Sequence, residues 1–109
     1  MTPSHPHTAS MPKQLTVEEA NKLGYAPARI LPSGECAGVS KMLFTVGLLV
    51  GLSDVYRTRF CYPTFVDACE ALYAWDGEGD PPGPWVKEKG INKQSGRPVS
   101  RNREQFTRP

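Results

Sequence analysis

The chain has 109 residues, is 39% hydrophobic and carries a formal net charge of +2, which suits one small domain and excludes a multidomain assembly. A domain of this size buries only about 60% of the surface its unfolded chain exposes, so its core is small. Three cysteines with no CxxC pair exclude a fully paired disulfide framework in a monomer, and together with the lack of an N-terminal apolar h-region they lead us to expect a reducing cytoplasm.

In chain order, the first segment (MTPSHPHTAS) is rich in proline, serine and threonine and holds both histidines, His5 and His7. It reads as part of a disordered arm over 1–14, ahead of a single domain over 15–90. Thr16 and Glu19 form a capping box, Leu15 can staple to Ala20, and Gly24 supplies the stop, so a short helix is expected to pack Ala20 and Leu23 on the domain. Ala28–Leu31, a Pro32-Ser33-Gly34-Glu35 turn and Cys36–Ser40 read as a strand and its return. Met42–Val50 is almost wholly apolar, with Thr45, Val46 and Val50 β-branched. It is expected to form one long central strand covered on both faces, with Gly47 marking a bulge or a close backbone approach.

After a Gly51-Leu52-Ser53-Asp54 turn, Tyr56, Thr58, Phe60 and Tyr62 alternate with Arg57, Arg59 and Cys61. A strand with that period turns the aromatics to one face and the two arginines to the other, exposed and about 7 Å apart. Thr64 and Asp67 fit a helix start, and Phe65, Ala68, Cys69 and Leu72 recur on one helical face that should cover the aromatic side of the sheet. The expected fold is therefore α+β: a small antiparallel sheet of three or four strands with two helices packed on one side.

The DGEGDPPGPW stretch over 76–85 spaces Asp76, Glu78 and Asp80 like the start of a calcium loop. Pro81 stands where that loop needs glycine and Lys87 where it needs glutamate, so no metal or other cofactor is expected. The prolines restrict this loop and aim Trp85 at a defined place, as a lid over the sheet or as a stacking platform. Val86–Gly90 reads as a short last strand, and 91–109 as a flexible basic tail. Charge is segregated: 63–85 holds five carboxylates and no Lys or Arg, whereas 86–109 holds seven cations against two carboxylates.

The run from Arg57 to Tyr62 (RTRFCY), the alanine-containing helix, and Trp75 to Trp85 (WDGEGDPPGPW) resemble a family of short, uncharacterised bacterial and prophage proteins with an RxRxCY…WDGxGDPPGPW core. The resemblance spans about Ala28 to Gly90. It implies a bacterial or phage cytoplasmic setting and assigns no catalytic residue.

Enzymatic chemistry is disfavoured. No histidine falls in the expected domain, and no P-loop, GxGxxG or zinc-type spacing is present. The leading expectation is a non-enzymatic binding protein acting on nucleic acid or a nucleoprotein complex. Arg57 and Arg59 would form a strand patch extended by Lys87, Lys89, Lys93, Arg97, Arg101 and Arg103, with Tyr56 or Trp85 stacking on bases. The alternative is a phage- or mobile-element-encoded inhibitor that docks on a host defence or transcription protein through its segregated charges. Neither reading involves a membrane.

Overall fold

Residues 13–103 are described by a computed structural model. The elements run α1 (Val17–Lys22), β1 (Ala28–Ile30), β2 (Cys36–Lys41), β3 (Val46–Val50), β4 (Thr58–Tyr62), α2 (Phe65–Ala74), β5 (Lys87–Ile91) and β6 (Pro98–Asn102). All six strands form one antiparallel sheet in the order β1-β2-β3-β4-β5-β6. Among the described residues, no helix is long and apolar enough to cross a membrane.

This overturns the expectation of three or four strands. Two local causes account for the difference. First, the apolar run is broken: the Met42 N–H donates to the Thr45 carbonyl, closing a turn that separates β2 from β3 and leaves Leu43 and Phe44 in solvent. Second, the segment read as a flexible tail forms β6 and its turn. The Asn92 side chain accepts from the Gln94 and Ser95 amides, and Gly96 takes φ +72° to bring the chain back onto β5.

The two helices also lie on opposite faces, not on one. Successive residues of a strand point to opposite sides, and Leu48 and Leu49 belong to different clusters. Leu48 packs with Val39, Phe60, Tyr62, Leu72, Trp75 and Trp85 beneath α2. Leu49 packs with Ala20, Cys36 and Leu52 beneath α1, joined by Tyr25 and Tyr56. Gly38 lets this second layer approach, since a Cβ there would stand 2.8 Å from Tyr25 Cβ. Gly47 faces this layer too, where a Cβ would meet Met42 Sδ, so the close approach is to the turn and not to α2.

Both helix starts follow their sequence signals. The Glu19 N–H donates to Thr16 Oγ1 and the Thr16 N–H to Glu19 Oε1, and the latter bond holds the Glu19 carboxyl below its ordinary value. The Asp67 N–H donates to Thr64 Oγ1 in the same way. Leu23, expected on the domain, is instead exposed, and Ala20 alone of α1 is buried.

The end of α2 is held from outside. Its last turn has no basic residue, and Arg29 of β1 donates Nη1 to the carbonyls of Leu72 and Tyr73, at 3.0 Å each. A cation at this terminus satisfies carbonyls and opposes the helix dipole. Arg29→Ala is expected to lower stability by about 1–2 kcal/mol, read as a drop in the thermal midpoint. An unchanged midpoint would show that the cap contributes nothing.

Candidate nucleic-acid interface

The strand pairings set which cations meet. Leu49 lies opposite Arg59, Arg59 opposite Lys89, and Lys89 opposite Ser100. One step along, Gly47, Cys61, Lys87 and Asn102 form the next row on the same face. Helix α1 covers this face only toward β1 and β2, so over β4, β5 and β6 it is open. An open groove of about 600 Å³ runs here, lined by Val55, Tyr56, Arg59, Lys89, Ile91 and Pro98 among others.

Three cations therefore stand together on one sheet face. Arg59 and Lys89 are cross-strand neighbours, roughly 5 Å apart at Cβ, and Lys87 follows roughly 7 Å along the strand. Among the described residues none of the three lies within salt-bridge distance of a carboxylate. Arg59 donates Nη1 to the Tyr56 hydroxyl at 3.1 Å, its one side-chain hydrogen bond among these residues.

The other expected site residues are engaged elsewhere. Arg57 precedes β4 and lines the same groove as Arg59, but its guanidinium is taken up by Glu35. It donates Nε to Glu35 at 2.8 Å and Nη2 to the same carboxylate at 3.0 Å. Lys93 sits between Glu35 and Glu78, at 3.6 and 3.4 Å. Arg101 donates Nη2 to Asp80 at 2.6 Å and Nε to the buried Glu88 at 2.7 Å, and these partners, Asp80 foremost, push its guanidinium further up. Glu88 also accepts from Thr58 Oγ1. A cavity of about 370 Å³ opens beside this network on the α2 face, lined by Thr58, Phe60, Trp75, Glu88 and Arg101 among others. Its acids and bases satisfy one another.

The expected shared aromatic face of Tyr56, Phe60 and Tyr62 breaks at Tyr56. The strand begins only at Thr58, and Tyr56 packs in the cluster under α1 while Phe60 and Tyr62 lie under α2. Tyr62 is wholly buried, donates its hydroxyl to the Pro82 carbonyl at 2.8 Å, and its phenol is pushed up by burial.

Trp85 is a lid and not a platform for bases. It is 3% exposed, meets Phe60 edge-on at 5.2 Å, and lies within 5.1 and 4.5 Å of the Arg101 and Arg103 guanidinium carbons. Arg103 also donates Nη1 to the Gly83 carbonyl. Arg97 stands exposed where the β5–β6 turn ends.

Sequence reasoning missed Glu35, which neutralises Arg57 from the β1–β2 turn, and it missed Ser100 and Asn102, which flank the lysines. The second omission had a signal: Asn92 through Gly96 (NKQSG) is a hairpin-length run containing glycine, followed by an alternating segment. The three cysteines are free. Cys36 and Cys61 are buried, Cys69 is partly so, and burial pushes the Cys36 and Cys69 thiols up, away from reactive thiolates.

Comparison with protein-family models, with curated proteins and with solved structures finds no match for this chain. The resemblance to short bacterial and prophage proteins rests on its motif alone.

Proposed function

We propose that the protein binds nucleic acid across the open face of its sheet, through Arg59, Lys87 and Lys89. One observation carries the reading. Like charges directly opposite each other in a sheet are destabilising, yet Arg59 faces Lys89 with no carboxylate nearby among the described residues, while Arg57, Lys93 and Arg101 each have one or two. A phosphate backbone laid over the face relieves that repulsion and releases its own counterions. Ser100 and Asn102 add neutral hydrogen-bonding groups beside the lysines, suited to phosphate and sugar oxygens.

The test is a titration of labelled oligonucleotide at several salt concentrations. Replacing Lys87 and Lys89 by serine is expected to weaken binding at least tenfold and to flatten the salt slope by roughly 0.7 to 0.9 for each phosphate no longer neutralised. Lys93→Ser, on the opposite network, is expected to leave both unchanged. Binding indifferent to salt between roughly 50 and 200 mM would sink the proposal.

A second reading, a protein-docking inhibitor, is favoured by the outer face of α2, where Val66 and Tyr73 are 61% and 59% exposed. Retention of a protein partner after nuclease treatment, abolished by Val66→Glu, would support it over the first.

A further inference from the structure

The β2–β3 turn presents the two most exposed large apolar side chains among the described residues, Leu43 at 86% and Phe44 at 89%. Adjacent at a hairpin tip, the two form an apolar patch that contributes nothing to the core. The turn is fixed. The Met42 N–H donates to the Thr45 carbonyl at 2.8 Å, and Met42 Sδ lies over Gly47. Gly47 shares its row and face with Cys61 and Lys87, so the turn is anchored to the side of the sheet that bears the free cations. Lys87 starts β5 at this same end, two strands or roughly 10 Å across from β3.

Phe44 also differs from the other exposed rings. Phe65 lies under the Lys41 ammonium at 5.5 Å and Tyr73 under the Arg29 guanidinium at 5.7 Å, both on α2, across the sheet from the open face. The rings of Phe60, Tyr62, Trp75 and Trp85 are buried. Phe44 has neither an aromatic nor a cationic partner among the described residues. Both faces of its ring are open.

Resting on the nucleic-acid reading above, we propose that Phe44 is a base-stacking residue and that the ligand is single-stranded. The backbone crosses Arg59, Lys89 and Lys87, and an unpaired base passes the end of the sheet to lie on the Phe44 ring. Bases stacked inside a duplex offer no free face to a side chain, whereas an unpaired base does, and base–aromatic stacking is tolerant of sequence. The tip thus converts a general phosphate-binding face into one that prefers single strands.

The experiment uses the full chain with a fluorescein-labelled oligo-dT and a blunt duplex of the same length. Phe44→Ala is expected to weaken oligo-dT binding about tenfold and to leave duplex binding unchanged. Leu43→Ser, equally exposed, is expected to change either by less than about twofold. Phe44→Trp adds a direct readout: the two native tryptophans are 5% and 3% exposed, so the new indole is the solvent-facing one, and its long-wavelength emission is expected to be quenched by oligo-dT but not by duplex. Equal affinity of Phe44→Ala and the parent for oligo-dT would overturn the inference while leaving the cation face standing. Equal losses from Leu43→Ser and Phe44→Ala would overturn it too, in favour of generic apolar docking. Retained binding to both probes in the Lys87→Ser, Lys89→Ser variant would remove the reading on which it rests.

Discussion

Leu72→Ala is expected to lower unfolding stability by about 2–5 kcal/mol. Leu72 is wholly buried on the inner face of α2, in the cluster with Val39, Leu48, Phe60 and Trp75. The helix has only ten residues, and short helices draw their stability chiefly from packing. Its neighbours inside, Ala68 and Ala71, are small, so they cannot fill the hole. Domains of this kind hold about 5–15 kcal/mol in all. Urea unfolding should therefore show a midpoint lower by about 1–3 M at unchanged slope. A loss below about 1 kcal/mol would mean that α2 is not seated on the sheet as described. Since α2 lies across the sheet from the cations, the folded variant should still bind oligonucleotide.

Gly90→Ala should be as damaging for a different reason, costing about 3 kcal/mol or more. Gly90 lies opposite Thr58 in the β4–β5 pair. A Cβ there would collide with the Arg57 carbonyl oxygen and Thr58 Cα, and would stand 2.6 Å from Thr58 Cβ. Two of these are backbone atoms that cannot swing aside, so the strands must part. Parting them moves Lys89 away from Arg59, and oligonucleotide binding should fall with stability. Gly96→Ala is the contrast. Gly96 has φ +72° with nothing within 4 Å of the added carbon, leaving only backbone strain of about 1–2 kcal/mol and binding intact. Equal effects at the two glycines, by urea titration, would refute the steric explanation.

Local signals are legible in the sequence where the chemistry is local. The Thr16–Glu19 box, the Thr64 cap and the hairpin of β1 and β2 are read from residues within a turn of one another. The signals fail where a run of one composition serves two environments. Met42, Leu43, Phe44 and Val46 look alike as apolar residues, but three form a turn and the fourth opens a buried strand, a division made by one backbone hydrogen bond. The period-two pattern at Tyr56–Tyr62 is real only from Thr58. The candidate site is half legible: Arg59, Lys87 and Lys89 stand out as cations in neighbouring segments of the chain, but their meeting depends on the register of β4 with β5. Arg57 lines the same groove and is set apart only by its carboxylate partner Glu35, 22 residues away.

The sheet order repeats the sequence order without a crossover. Contacts that join near neighbours in the chain close cheaply, so the protein should fold quickly for a sheet protein, each strand offering a template for the next. The longest closure is the one that brings β5 back past α2 to β4, and it is also the step that sets Lys89 beside Arg59. Charge repulsion thus enters only when the strand that carries it docks, which makes the pairing of β5 with β4 the one an oligonucleotide would favour most.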